Sequence, residues 1–149
     1  MISIQLPDHY GYVLLSCGVL PALTNVMLGG PVAKARKKYN VRYPNLYATP
    51  GHHEHADAFN RVQRGHQHMF ENISDFRAVS FVGGLAHPLT CAACGVAYCL
   101  GSYLYLRGYS DLRLDVKTAR LQKGGPIKMI ALLVSLVCAT KFSVKLLRQ

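Results

Sequence analysis

Between Asp57 and Asp75 the chain reads DAFNRVQRGHQHMFENISD. At about 100° of rotation per residue, Asp57, Arg61, Arg64, His68, Glu71 and Asp75 fall in a narrow sector of one helix face. Arginines on such a face can clamp carboxylates in bidentate fashion, and a glutamate can accept an ammonium group. A second set, Tyr98, Ser102, Tyr105 and Tyr109, recurs at four-, three- and four-residue steps and also shares a face. Its phenols can supply further donors, although tyrosines also gather at membrane interfaces without a ligand. The ligand that matches both sets is a small zwitterionic, net-anionic molecule that meets an apolar partner from the membrane.

The elements that must hold these residues are apolar. Of 149 residues, half are hydrophobic, only 16% are charged and none is tryptophan. One domain of an integral membrane protein fits that balance better than a soluble one. No Lys, Arg, Asp or Glu occurs between Asp8 and Lys34, so residues 10–30 can span a bilayer, with Pro21 as a tolerated kink. Met1 to His9 holds no Lys or Arg, and the segment is read as a retained span rather than a signal peptide. Ala78 to Leu106 is also free of acidic and basic residues, and Gly83-Gly84 followed by His87-Pro88 divides it. The polar helix therefore enters a second span (57–86), and a third begins at Pro88 (88–109). A fourth runs over 126–147, with Lys141 and Lys145 making its end amphipathic. The expected architecture is all-α, a membrane four-helix bundle forming one domain over 1–149.

The net charge of +10 does not point to nucleic acid, because the basic residues cluster in loops between apolar runs. Anionic lipid headgroups or an anionic small substrate suit that distribution. The first loop (Lys34, Arg36, Lys37, Lys38, Arg42) and the third (Arg113, Lys117, Arg120, Lys123) share one side of the bundle and are expected to be cytosolic. All five cysteines (Cys17, Cys91, Cys94, Cys99, Cys138) lie in apolar segments, so Cys91-Ala-Ala-Cys94 reads as helix packing rather than as a redox or zinc motif. His52, His53, Glu54 and His55 sit in a Pro-, Gly- and His-rich loop with no further ligand cluster. A solvated loop is favoured there over a metal site.

Three stretches carry a resemblance: KARKKYNVRYPNLYA, the RxxRxHQxxxE core from Arg61 to Glu71, and YLYLRGY from Tyr103 to Tyr109. From about Tyr10 to Val137 the chain resembles the membrane-associated proteins in eicosanoid and glutathione metabolism (MAPEG). The resemblance implies a homotrimer with glutathione as co-substrate at each subunit interface, near the cytosolic side. By the same resemblance Arg64 grips glutathione, Glu71 meets its amino group, and Tyr105 and Tyr109 are the tyrosines of the third span. Arg36 would reach in from the neighbouring subunit, and His66, His68 and Asn72 complete the implied binding set. His68 stands where the family usually has asparagine, and Asn72 where leukotriene-forming relatives have tyrosine. The arginine that stabilises the glutathione thiolate in such enzymes aligns by direct counting with Val116, leaving Arg113, Lys117 and Arg120 as open candidates. The implied activity is glutathione transfer to lipophilic electrophiles, reduction of lipid hydroperoxides, and conjugation of an epoxide such as leukotriene A4 (leukotriene C4 synthase activity). The alternative is a non-catalytic protein that binds lipid or serves in a larger membrane complex. The endoplasmic reticulum is the expected membrane, with a mitochondrial membrane as the alternative, and no metal is expected.

Overall fold

A computed structural model describes residues 5–149 and, among them, contains helices and turns but no strand. The N-terminal stretch read above as lacking a basic region lies partly outside the described residues, at 1–4. Helix α1 covers Tyr10–Lys38, α2 Ala56–Glu71, α3 Ile73–Gly84, α4 Pro88–Tyr109 and α5 Ile127–Leu147. Three of these, α1, α4 and α5, are long and apolar enough to cross a membrane. The segment 57–86 differs from expectation. It is two helices, broken where Asn72 adopts φ −125° and ψ 7°, outside the helical region. The 12 residues of α3 extend only about 18 Å, well short of a hydrocarbon thickness of about 30 Å. The break also ends the polar stripe at Glu71, because Asp75 belongs to the next helix.

The chain forms two compact units. One holds the chain up to Ala22 with Asn72–Leu100 and Ile127–Gln149; the other holds Leu23–Glu71 and Gly101–Pro126.

Small residues build the first unit. A Cβ added at Gly83 would lie 2.8 Å from the Ala139 nitrogen and the Cys138 Cβ, so α3 and α5 touch backbone to backbone. Beside that contact Ser80 Oγ donates to Ser135 Oγ at 3.0 Å, both side chains fully buried. Gly95 likewise admits the Ser16 backbone, which a Cβ would meet at 2.6 Å. The α1 helix widens to π geometry over Leu14–Val19, just before Pro21. Pro21 has no N–H, so one carbonyl on the preceding turn lacks its helical donor. Arg77 of α3 supplies donors there, to the Cys17 carbonyl at 3.3 Å and the Gly18 carbonyl at 3.0 Å. A charged residue among apolar helices thus has a structural partner. The five cysteines are all buried, and none forms a disulfide.

The second unit takes in α1 from Leu23 to its end, where the chain reverses. Asn40 takes φ 51°, its N–H donates to the Lys37 carbonyl at 3.5 Å, and the Val41 N–H returns to the Arg36 carbonyl at 3.1 Å. This αL reversal closes the helix end and turns Val41 inward. Val41 packs with Ala35, Ala48, Ala56 and Phe59 in a small core under the loop. Asn60 on α2 brackets Ala48, accepting its N–H at 2.8 Å and donating to its carbonyl at 2.9 Å. Gly65 lets α2 approach α4, since a Cβ there would sit 3.1 Å from the Leu106 Cα.

Candidate functional site

One face of α2 and the last turns of α4 carry the candidate cluster. Arg64 and Glu71 lie seven residues apart on α2, two turns along the axis, and their long side chains form an ion pair. His68 stands between them, with Nδ1 2.8 Å from Glu71 Oε2. Its ring lies over Tyr105, with centroids 4.1 Å apart and planes at 32°. Tyr105 in turn stacks on Tyr109, centroids 5.6 Å apart at 17°. Arg64 and Glu71 remain 39% and 35% exposed, so their pair contributes at most about 1 kcal/mol to stability. The cluster is therefore accessible, and its central charges are cheap to exchange. A zwitterionic amino-acid end presents the same two charges reversed: its carboxylate suits Arg64 and its ammonium Glu71.

Arg61 behaves differently although it is only three residues away. It is buried at 5% exposure, and its guanidinium donates to the carbonyls of Tyr109 at 2.7 Å, Asp111 at 2.9 Å and Leu114 at 3.0 Å. These are the orphan acceptors at the end of α4 and in the turn beyond it. Arg61 anchors the tyrosine-bearing end of α4.

The remaining implied residues separate. His66 Nε2 lies 3.0 Å from Asn25 Oδ1 on α1, within the same unit. Arg36 bonds the carbonyls of its own loop, Asn45 at 2.7 Å and Val41 at 3.3 Å, and its guanidinium lies 4.4 Å from the Tyr43 ring centroid. Asn72 marks the helix break, where its carbonyl accepts the Phe76 N–H at 2.9 Å. Of the other stripe members, Asp57 is exposed at the start of α2. Of the tyrosine set, Tyr98 is fully buried and stacks on Phe76 at 4.1 Å and 13°, within the first unit.

The three candidate cations after α4 differ in what holds them. Arg113 makes a two-pronged pair with Asp111, each N···O distance 2.9 Å, while its side chain is 86% exposed. Lys123 Nζ meets the same carboxylate at 2.6 Å. The Arg113 guanidinium and the Lys123 ammonium hold the Asp111 carboxyl far below the usual carboxylate range. Lys117 is exposed on the single turn Val116–Ala119, whose first N–H groups are capped by Asp115 at 2.8 Å. Arg120 is exposed as well.

Two neighbours of the cluster were not singled out from the sequence. The Tyr47 hydroxyl donates to Gln67 Oε1 on α2, one helical turn from Arg64. Both residues lie within the stretches that carry the resemblance, Gln67 in the HQ pair and Tyr47 at the end of KARKKYNVRYPNLYA, but no periodicity links them.

Three apolar helices of spanning length define an integral membrane protein of helical build. The model of the MAPEG family matches residues 13–147, nearly the whole chain, and the protein belongs to that family. Members of the family use glutathione, and membership gives the chain a general role in glutathione-related or eicosanoid metabolism.

Proposed function

We propose that this protein is a membrane-bound glutathione transferase and peroxidase, similar in its motifs to microsomal glutathione S-transferase 3. The observation that carries the reading is the exposed Arg64–Glu71 pair, bridged by His68 and backed by Tyr105. In the proposed complex the γ-glutamyl carboxylate replaces Glu71 on Arg64, and the amino group takes Glu71. The tripeptide's remaining polar groups face Tyr105 and Tyr109, whereas Arg36, His66 and Asn72, set apart from the cluster within one chain, contribute from a neighbouring subunit. A nearby cation stabilises the thiolate and lowers the thiol pKa. Arg120 is favoured over Arg113, which Asp111 holds, and over Lys117, whose ammonium lacks the planar guanidinium fork. The thiolate sulfur then adds to an electrophilic carbon, such as that of a lipid epoxide, whose ring oxygen takes up a proton. With a lipid hydroperoxide, the sulfur attacks the terminal oxygen and releases the lipid alcohol. A second glutathione converts the resulting sulfenic acid to the disulfide and water.

The same reading takes the protein to be a homotrimer in the endoplasmic reticulum membrane, with both basic loops cytosolic. One observation favours a second reading, a non-catalytic lipid-binding or structural member. Arg113, the first cation after Tyr109, is already paired and faces solvent.

Titration calorimetry of glutathione into the detergent-purified protein, with Arg64→Ala in parallel and thiolate absorbance followed in both, tests the proposal. Binding with a thiolate signal, both lost in the variant, is expected. Binding without thiolate supports the non-catalytic reading, and no binding by folded wild-type protein overturns the glutathione site.

A further inference from the structure

We propose that the loop between α1 and α2 forms a second, separate site that takes a phosphate group. The loop encloses a cleft of about 580 Å³, within the range of small-molecule sites. Lys38, Arg42, His52, His53 and His55 line it, together with Asn40 and Asn45. Glu54 is the lone carboxylate among the lining residues, against two fixed cations. Its side chain is 89% exposed, and it comes no closer than 3.9 Å to His55 Nε2.

The lining is arranged to donate. His53 Nδ1 accepts the Thr49 N–H at 3.1 Å, which fixes the neutral ring as the Nε2–H tautomer and leaves that N–H as a donor. The His52 ring stands edge-on to it, centroids 4.8 Å apart at 82°. Tyr39 supports the other wall, 5.6 Å from the His55 ring centroid and 5.0 Å from Lys38 Nζ. A helix C-terminus would normally repel an anion. Here the αL turn at Asn40 occupies the Arg36 and Lys37 carbonyls, which removes much of that field.

Several cations elsewhere in the molecule are already engaged. Arg36, Arg61 and Arg77 serve backbone carbonyls, Arg64 pairs with Glu71, and Arg113 and Lys123 pair with Asp111. No ion pair holds Lys38 or Arg42 among the described residues, and both border the same concavity. A tetrahedral phosphate matches several converging N–H donors and a guanidinium. The cleft lies at the end of an apolar helix of spanning length, where phosphoester headgroups are found. The phosphate can belong to such a headgroup or to a soluble phosphorylated molecule.

The test uses full-length protein in phosphatidylcholine nanodiscs, with inorganic pyrophosphate as the soluble probe and discs containing phosphatidic acid as the lipid probe. Calorimetry follows the first, and native mass spectrometry of retained lipid follows the second. Lys38→Gln/Arg42→Gln and His52→Gln should each weaken binding, the double variant at least tenfold, while Lys145→Gln changes nothing. Pyrophosphate binding assigns a soluble ligand, and selective retention of phosphatidic acid assigns a headgroup; either supports the site. Binding of neither probe overturns it, as does equal binding by the double variant with unchanged helicity. Equal weakening by Lys145→Gln also overturns it, since that would reflect net charge alone. Glutathione titrated into the same samples keeps this result distinct from that of the α2 cluster.

Discussion

The His68 ring covers Tyr105 at 4.1 Å while its Nδ1 meets Glu71 at 2.8 Å, so one side chain couples a stacked aromatic pair to an ion pair. His68→Asn keeps a polar group within reach of Glu71 but loses most of the ring contact. Glutathione affinity should fall by less than about threefold, whereas His68→Ala should lose about tenfold, one hydrogen bond's worth. Calorimetry on both variants checks this, and an Ala variant that binds like wild type removes His68 from the site.

Arg61 and Arg64 should separate in their effects. Arg61→Ala leaves three partly buried carbonyls without that donor, which costs on the order of 2 kcal/mol. A lowered Tm in detergent is the expected result. Arg64→Ala, by contrast, should leave Tm almost unchanged and abolish glutathione binding.

Arg120→Gln should suppress the thiolate absorbance while glutathione still binds. Arg113→Gln should leave that signal intact, because its guanidinium is engaged by Asp111. The reverse pattern would assign the thiolate to Arg113.

The Asp111 clasp sets a pH dependence. Its folded carboxyl titrates below the ordinary aspartate value of about 3.9, so its stabilising contribution is complete above that value. It is lost only as pH falls through the lower, folded value. Carboxyl NMR should therefore find Asp111 still ionised at about pH 3, provided the protein is folded. Asp111→Asn should speed amide exchange in the loop through Lys123 at neutral pH. Titration of Asp111 near about 4 would show that the clasp does not form.

Gly95→Ala should cost about 1–3 kcal/mol, because its Cβ meets the Ser16 backbone at 2.6 Å and neither helix can yield locally. Gly29→Ala, with nothing within 4 Å of the new Cβ, should be neutral or stabilising. Paired thermal melts decide the matter.

Much of the helical layout was legible in the chain itself. Charge-free runs bounded by Lys34, Pro88 and Pro126 need long helices, since backbone groups in lipid must bond within their own segment. The faces of α2 and α4 were legible for the same reason, because a helix's period follows from covalent geometry. Periodicity did not anticipate the break at Asn72, since no proline or glycine marks it. Nor did it distinguish Arg61 from Arg64, identical residues on one stripe. Their difference depends on the end of α4, which brings three carbonyls to one guanidinium and none to the other. The same holds for Lys38, Arg42 and three histidines converging on one cleft, and for Arg77 bonding the turn before Pro21. Local sequence sets which side chains share a helix face. Only the folded chain decides which donors meet acceptors distant in sequence, because hydrogen-bond and ion-pair partners are chosen by packing across elements.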